Sequence, residues 1–276
     1  PQGGFSVFSR YNSLLMPINH RLLISVLAVL AAFATYLVYL PGLHGPFVFD
    51  DLSNILLVKT TYLKELSLAG LYNAALAVES GPFHRPISIL SFALNYYFTG
   101  LDVFYFKLTN LVIHLISGFL LYQLSYRLLL RHTLSHTHEA VVPLKLHLVG
   151  LSVALVWLLH PLNLTSVLYV VQRMTSLASL FSVLGVLGYV LGREQILRGQ
   201  RRGFVTMLAS LLLFGLLAAL TKEIGILLPV YVLLVELFFY RAAAADTLRR
   251  PFKWFFYTII VTPLVLGLCL ALVKSG

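Results

Sequence analysis

Residues 164–192 read LTSVLYVVQRMTSLASLFSVLGVLGYVLG, and Arg173 is the only charged residue among them. A run of about 20 apolar residues is long enough to cross a bilayer as a helix, so this stretch predicts a membrane-spanning helix. Other apolar stretches predict spans at 22–40, 105–126, 146–159, 204–220, 224–240 and 254–273. The expected fold class is therefore all-α and integral to the membrane, with about seven transmembrane helices.

The composition agrees with that fold class. The chain is 59% hydrophobic and 11% charged, whereas a soluble domain has roughly 25% charged residues. With the N-terminus inside, thirteen lysines and arginines fall on the cytoplasmic side and six on the outer side. This asymmetry follows the positive-inside rule, so topology explains the net charge of +10 and no nucleic-acid partner is expected. The same count places the C-terminus outside, opposite to the usual seven-span receptor arrangement.

A long segment, 42–104, separates the first two predicted spans and forms the first outer loop in this topology. Long ordered loops are usually functional. This one contains FVFDDLSNI at 47–55, in which Asp50 and Asp51 are adjacent. Segments 61–78 and 86–98 are apolar and aromatic but too short or too mixed to span, so they predict helices that lie at the membrane surface.

Polar residues from separate segments are predicted to reach the same outer level. They are His84 and Arg85 at the end of the loop, His160 after the third span, Gln172 and Arg173 within the fourth, and Lys222 and Glu223 after the fifth. A transporter or lipid flippase is the alternative class. Its charges would line a path across the bilayer, and it would show repeated halves with broken helices, which the sequence does not show.

Simpler structural roles stay open for these residues. Asp50 or Asp51 could cap a helix that starts near Leu52, because Asp is a favoured N-cap. The remaining alternatives are a turn for His160, interfacial charge for Lys222 and Glu223, and hydrogen bonds between helices for Asn110 and His114.

Arg173 is harder to explain as a structural residue. If the fourth helix starts near Leu164, Arg173 lies about 13 Å into it. A guanidinium there costs at least about 2.5–3.5 kcal/mol unless it reaches the surface or meets an anion. Glu236 is near the opposite side and is a poor partner, whereas a phosphate entering from lipid would accept bidentate hydrogen bonds. The pattern therefore predicts a phosphate site at Arg173, with Lys222 and Arg85 beside it.

These residues suggest the transfer of a sugar from a polyprenyl phosphate. The phosphate leaving group needs positive charge rather than a general acid. The acceptor hydroxyl benefits from a carboxylate base, an effect of roughly 10²–10⁴-fold, which Asp50 or Asp51 could supply. Displacement by one base would invert the anomeric centre, and the second carboxylate could orient the first, bind the acceptor or hold a divalent cation such as Mg²⁺ or Mn²⁺.

Four stretches also carry a resemblance to a known family. They are FVFDDLSNI at 47–55, HRPISILSFALNYYFTGLDVFYFKLTNLVIHLISGFLLY at 84–122, HPLNLTSVLYVVQRMTSLASLF at 160–181 and LTKEIGILLPV at 220–230. Their order resembles that of the transmembrane O-mannosyltransferases that carry tetratricopeptide repeats, and of their bacterial relatives. These are type C (GT-C) glycosyltransferases, and the resemblance covers about residues 42 to 235.

The resemblance implies roles for individual residues. Asp50 and Asp51 match the acidic pair, with Asp50 as the base; Arg85 matches an Arg-Pro pair, His160 a His-Pro pair, Arg173 the helical Arg, and Lys222 and Glu223 the Lys-Glu pair. The predicted phosphate-binding residues remain Arg85, Arg173 and Lys222, with His84, His160, Gln172 and Glu223 in support. The implied donor is mannose or a similar hexose on a polyprenyl phosphate, and the implied acceptor is a hydroxyl of a glycan or of Ser/Thr in an exported protein. The implied location is a bacterial inner membrane or the endoplasmic reticulum, with the site on the periplasmic or lumenal side.

Two departures from the family pattern are visible. No 34-residue helical repeat occurs in the sequence, and Phe106-Lys107 replace the usual His near the start of the second span. The family has more spans than are predicted here. We therefore expect residues 1–276 to form a single membrane domain that is incomplete at its ends.

Overall fold

The computed structural model describes residues 18–78, 84–136, 141–241, 243–262 and 264–265. The regular structure in these ranges is helical. Its α-helices are α1 Ile18–Leu43, α2 Leu68–Ala75, α3 Pro86–Thr99, α4 Val103–His136, α5 Pro143–Leu159, α6 Leu164–Leu168, α7 Arg173–Leu197, α8 Arg202–Thr221, α9 Leu228–Val235 and α10 Arg249–Phe256. Short 3₁₀ and π segments join them at Leu52–Leu56, Lys59–Thr61, Pro161–Asn163, Val170–Gln172, Glu223–Leu227, Glu236–Tyr240, Asp246–Leu248 and Tyr257–Val261.

The described part of the chain contains five helical segments that are long and apolar enough to cross a membrane. They are Ile18–Leu43, Val103–His136, Val170–Leu197, Arg202–Thr221 and Glu223–Tyr240. Pro143–Leu159 and Pro161–Leu168 pass the same test as a pair bent by 54°, which makes a sixth candidate. The predicted all-α membrane fold is thus confirmed. The predicted span at 254–273 begins within α10, and most of its second half lies outside the described residues.

The predicted continuous span over 164–192 is wrong at its start. Helix α6 ends at Leu168, Tyr169 is extended with φ −99° and ψ 106°, and the chain turns through Val170–Gln172 before α7 begins at Arg173. A buried carboxylate accepts the backbone N–H groups that the new helix leaves unpaired, as described below, and this stabilises the restart. Arg173 is therefore the first residue of a helix rather than a residue about 13 Å into one.

Glycines allow α7 and α8 to pack with their backbones in close approach. A β-carbon on Gly203 would lie 2.6 Å from the carbonyl oxygen of Gly192. A β-carbon on Gly192 would in turn lie 2.8 Å from the carbonyl oxygen of Gly203. Small residues at helix contacts serve membrane proteins in this way, because van der Waals packing rather than the hydrophobic effect holds their helices together. The pair α7 and α8 thus forms a tight hairpin.

The loop that contains Asp50 and Asp51 packs onto the helix bundle. Ile55 joins a buried cluster with Ile89 and Phe92 of α3, Phe106 of α4, and Val170 and Met174 at the start of α7. The predicted helix at 86–98 corresponds to α3. The predicted helix at 61–78 is shorter, since α2 begins only after Ser67, whose hydroxyl accepts the Gly70 N–H at 3.0 Å and caps the helix.

Candidate functional site

The two adjacent aspartates have opposite environments. Asp51 is fully buried, and its carboxylate accepts the backbone N–H groups of Val48 at 3.1 Å, Val170 at 3.4 Å and Val171 at 2.7 Å. Burial raises the pKa of Asp51, whereas the three N–H groups and the charge of Lys107 oppose that rise. Asp51 therefore caps the restart of the helix at residues 170–171, and the predicted cap of its own helix at Leu52 is wrong, since that helix start receives no side-chain bond.

Asp50, in contrast, is exposed. Its backbone N–H donates to the hydroxyl of Tyr169 at 3.1 Å, and its carbonyl accepts from Ser53 and from Asn54, at 3.2 and 2.9 Å. Burial raises the pKa of the Tyr169 hydroxyl, and the charge of the Asp50 carboxylate raises it further. Only Asp50 of the pair is thus placed to meet a substrate, while the predicted contact of Asp51 with an acceptor or a metal does not fit its burial.

Lys107 ties this region to the end of α1. It is 3% exposed, and its ammonium donates to the carbonyl oxygens of Gly42 at 3.2 Å and Gly45 at 2.9 Å. Gly42 lies in the last turn of α1, where carbonyl groups lack intrahelical donors and attract a cation. Lys107 thereby fixes the turn that leads into the Asp50 segment, and its charge also acts on Asp51.

Arg173 is fully buried, yet its guanidinium is held by neutral oxygens. Nε donates to the Asn110 side chain at 2.7 Å, and the terminal nitrogens donate to Asn95 at 2.8 Å and to the carbonyls of Phe106 at 2.7 Å and Ser91 at 3.1 Å. The expectation that this group must reach the surface or meet an anion is therefore wrong. The side chain joins α7 to α3 and α4 and does not present its nitrogens to a cavity, so its predicted phosphate contact is not formed in this arrangement.

A second cluster lies where α8 ends and α3 begins. Arg85 makes a two-point ion pair with Glu223, with nitrogen–oxygen distances of 3.0 and 2.9 Å. The neighbouring ammonium of Lys222 donates to the Thr175 hydroxyl at 2.7 Å. Burial lowers the pKa of Lys222, and the nearby Arg85 lowers it further, whereas Glu223 opposes this. Because Glu223 balances Arg85, Lys222 contributes the net positive charge of this cluster.

The other predicted residues are dispersed around these two clusters. Gln172 accepts the Thr175 hydroxyl at 2.9 Å and so joins the Lys222 cluster. His84 is exposed, and both His84 and Arg85 have positive φ angles, 56° and 48°, which are uncommon for residues other than glycine. His160 is exposed, and its ring nitrogen accepts the Leu162 N–H at 3.2 Å, the turn role that the sequence left open.

The hydrogen bonds predicted between helices at Asn110 and His114 are confirmed, although the two residues do not bond to each other. Asn110 donates to the Val167 carbonyl at 3.2 Å while it accepts from Arg173. The His114 ring nitrogen Nε2 contacts the Leu158 carbonyl at 2.9 Å. Since a carbonyl can only accept, Nε2 carries the proton. Both side chains thus stabilise the helix contacts below the loop.

Two adjoining cavities lie beside the Lys222 cluster. One, of about 310 Å³, is lined mainly by neutral polar groups and includes His114, Asn163 and Thr175. The other, of about 420 Å³, is mainly apolar and includes Ile224 and Leu234. Ser179 and Val183 line both cavities. Lys222 itself lines neither cavity, but its hydrogen-bond partner Thr175 borders the first, and Ile224, two residues after Lys222, borders the second.

The divalent cation proposed from the sequence finds little support in the donor set. Among the described residues, no three His, Cys, Asp or Glu side chains are grouped so that they could hold a metal ion. Asp51 is fully buried and commits its oxygens to backbone N–H groups. Asp50 alone would offer one carboxylate, so a bound Mg²⁺ would need oxygens of the donor phosphate and waters to complete its ligands.

The sequence predicted no role for three residues that the structure adds to this region. Tyr169 contacts Asp50, Lys107 contacts the turn after α1, and Asn95 holds Arg173. Lys107 had two signals in the sequence: it stands near the position of the usual His of the family pattern, and it is a charge inside an apolar span, which usually marks a functional or pairing role. Tyr169 and Asn95 carry no such signal, because Tyr and Asn are common near membrane surfaces.

Comparison with known proteins supports the resemblance seen in the four motifs. Protein O-mannosyl-transferase TMTC4 from Homo sapiens is 32% identical over 192 residues, which cover 66% of this chain and 25% of that protein. Protein O-mannosyl-transferase TMTC1 from Mus musculus is 30% identical over 160 residues, 56% of this chain and 15% of that protein. Protein O-mannosyl-transferase Tmtc3 from Drosophila melanogaster is 28% identical over 202 residues, 69% of this chain and 22% of that protein.

The predicted resemblance to these O-mannosyl-transferases is thus confirmed. The chain spans a quarter or less of the length of these relatives. No protein-family model matches the chain, and no solved structure matches it.

Proposed function

We propose that this chain forms the membrane part of a glycosyltransferase that moves mannose or a similar hexose from a polyprenyl phosphate to a hydroxyl acceptor. The observation that carries the proposal is the separation of the aspartate pair, with Asp50 exposed and Asp51 buried in a structural cap. In a chain related to O-mannosyl-transferases, this leaves one carboxylate to act as the base. Ser/Thr of an exported protein is the proposed acceptor, following the relatives' name.

The proposed reaction is a single inverting displacement. The Asp50 carboxylate takes the proton of the acceptor hydroxyl while the acceptor oxygen forms a bond to the anomeric carbon. The bond from that carbon to the phosphate oxygen breaks, and its electron pair leaves with the phosphate. No general acid is needed for this leaving group, so positive charge is the main requirement on the donor side.

Lys222 is the cation best placed for that role. Arg85 is balanced by Glu223, and the nitrogens of Arg173 are bonded to protein oxygens. Arg173 still contributes its charge at a distance, because neutral oxygens do not cancel it. The apolar cavity beside Ile224 would take the first isoprenoid units of the donor while its phosphate lies at Lys222.

The sidedness follows from the charge asymmetry of the sequence. We place Asp50 and Lys222 on the periplasmic or lumenal side, where exported acceptors occur. Single cysteines at Glu65 and Arg201, both exposed, would test this in a chain whose Cys269 is replaced by Ser. A membrane-impermeant thiol reagent should label the first and spare the second in sealed cells or vesicles of known orientation. Labelling of Arg201→Cys alone would place the site in the wrong compartment.

The decisive experiment uses the full-length protein that contains this chain, in membranes, with a radiolabelled polyprenyl-phosphate mannose and a Ser/Thr peptide. Asp50→Asn should fold and insert but lose at least about a hundredfold in turnover, because Asn keeps the shape and cannot accept the proton. Asp102→Asn is the matched control. Asp102 is also exposed and accepts the Phe104 N–H at 3.0 Å, a cap that Asn can keep. Full activity of Asp50→Asn would remove the proposed base.

A further inference from the structure

Tyr169 is the extended residue that links α6 to the turn preceding α7. The break directs its side chain across to the loop, a contact between residues separated by 119 positions. Its hydroxyl accepts the backbone N–H of Asp50 at 3.1 Å. Its ring meets that of Phe49 edge to face, with 6.0 Å between centroids. Tyr169 therefore holds the residue that we assign as the base and the residue before it.

The backbone at this point needs such support. Phe49 has a φ of 48°, in the left-handed region that a bulky residue seldom adopts. Conformations of this kind persist only where the surroundings hold them, and they are common at functional sites. Asp51 supports this one on the buried side, through the N–H groups of Val48 and Val171, and Tyr169 supports it on the exposed side.

The hydroxyl of Tyr169 also stands beside the Asp50 carboxylate. Burial raises the pKa of Tyr169, and the negative charges of Asp50 and Asp51 raise it further. The phenol therefore keeps its proton at neutral pH and remains a hydrogen-bond donor. A donor that is permanently protonated can direct one carboxylate oxygen and leave the other for the acceptor hydroxyl.

We infer that Tyr169 is a positioning residue, whose hydroxyl fixes both the backbone and the carboxylate of Asp50 so that this carboxylate faces the acceptor hydroxyl. This inference rests on the proposed function, because it assigns a role only if Asp50 is the base. Tyr169 takes no part in the bonds that form or break. The proton still passes from the acceptor hydroxyl to Asp50, and the electron pair leaves with the phosphate.

Tyr169→Phe in the full-length protein tests the inference, since it removes the hydroxyl and keeps the ring that contacts Phe49. Turnover should fall by about ten- to a hundredfold, because small misplacements of a catalytic group have effects of this size. The Michaelis constant for the polyprenyl-phosphate mannose should not change. Tyr62→Phe is the matched control. It also removes a tyrosine hydroxyl, one that donates to the Leu56 carbonyl at 2.6 Å within the loop that contains Asp50.

A double-mutant cycle separates positioning from general structural support. In the Asp50→Asn background the residual turnover should not fall further when Tyr169→Phe is added, because the group to be positioned is absent. Equal losses in both backgrounds would overturn the inference, as would full turnover of Tyr169→Phe. If Asp50→Asn itself keeps full turnover, the proposed function fails instead, so the two failures are distinguishable.

Hydrogen–deuterium exchange provides a readout that needs no activity. Removing the hydroxyl frees the Asp50 N–H, so peptides that contain residue 50 should exchange faster in Tyr169→Phe. Peptides from α7, which Asp51 supports, should be unaffected. Unchanged exchange at residue 50 would show that the contact does not hold the loop, and general acceleration would show that the substitution disturbs the fold. Either result would overturn the inference.

Discussion

Helix α7 begins and nearly ends with a buried arginine, and the two are accommodated in different ways. Arg173 and Arg193 are both fully buried. They are 20 residues apart on one helix, which corresponds to about 30 Å and matches the thickness of the hydrocarbon core. Arg173 is bonded to neutral amide and carbonyl oxygens, whereas Arg193 makes a two-point ion pair with Glu236, at 2.8 Å for both bonds.

The difference concerns the charge that each end retains. Glu236 neutralises Arg193 and also accepts the Tyr189 hydroxyl at 2.9 Å, while the Arg193 guanidinium stacks 3.8 Å from the Phe252 ring centroid. Arg193 thus joins α7 to Glu236–Tyr240 and α10 without a net charge. At the Arg173 end, Asp51 is, within the described ranges, the carboxylate whose charge acts on both Arg173 and Lys107, so that buried group keeps a positive charge. The first arrangement serves only packing, whereas the second also suits an anionic ligand nearby.

The largest effect is expected from breaking the pair at the Arg193 end. Glu236→Ala leaves a buried guanidinium without its counter-charge, so the free energy of unfolding should fall by about 3–5 kcal/mol. Thermal or denaturant unfolding of the detergent-solubilised protein would measure this. Glu194→Ala is the control, because its partner Arg127 is 29% exposed and the pair should contribute little. Equal losses in the two variants would contradict the assignment of Arg193 as a buried structural pair.

Asn110→Ala should have a smaller effect at the Arg173 end. It removes the acceptor of Arg173 Nε and the donor to the Val167 carbonyl, and each unpaired buried group costs about 1–3 kcal/mol. The same unfolding measurement applies. Thr109→Ala, at the adjacent half-buried position of α4, loses a bond to the Tyr105 carbonyl and should stay within about 0.5 kcal/mol. If Asn110→Ala is as harmless as this control, the neutral acceptors do not support Arg173.

The pH dependence of the donor Michaelis constant tests whether the positive charge of Lys222 binds the donor phosphate. Its pKa is lowered, so it loses its proton at a lower pH than an ordinary lysine with a pKa of about 10.4. Because the protonated form is the one that binds phosphate, the donor Michaelis constant should rise severalfold as the pH increases toward that value. Lys222→Arg should remove the dependence, since Arg stays charged. A pH dependence that persists in Lys222→Arg would assign it to another group.

The smallest effect is expected from replacing the whole pair at the Arg193 end. Arg193→Met and Glu236→Leu, combined with Tyr189→Phe, remove both charges and the buried hydroxyl that donates to Glu236, and they fill the site with apolar atoms, a change that is often neutral or stabilising. Unfolding free energy and transferase turnover should both stay close to those of the natural protein. A large loss of turnover with an unchanged stability would show that Arg193 has a functional role, and it would contradict the conclusion that only the Arg173 end of α7 serves more than packing.

The class of fold could be predicted from the sequence, but the hydrogen-bond partners of the polar residues could not. Apolar length predicted the spans, and α3 appears where its aromatic pattern indicated. The break at Tyr169 was missed because its cause is Asp51, whose partners Val170 and Val171 are 119 and 120 positions away. Local periodicity carries no signal for such a contact.

The same reason explains the misplaced depth of Arg173. The amide oxygens that hold it come from Asn110 and Asn95, 63 and 78 positions earlier, and neither is unusual as a residue type. The exposed aspartate was nevertheless among the predicted residues, because two adjacent carboxylates are rare in so apolar a chain. Which of the two is exposed depends on tertiary packing, since adjacent residues can face opposite sides.

The ion pair of Arg193 with Glu236 has a consequence for the order in which the chain is made. When α7 emerges from the ribosome, Asn95 and Asn110 have already been synthesised, so Arg173 can be bonded at once. Glu236 follows Arg193 by 43 residues, which takes roughly 2–9 s at ordinary elongation rates. During that interval the cation has no carboxylate partner from its own pair. The Arg193 end of α7 can therefore complete its packing only after Glu236 has been synthesised, later than the Arg173 end.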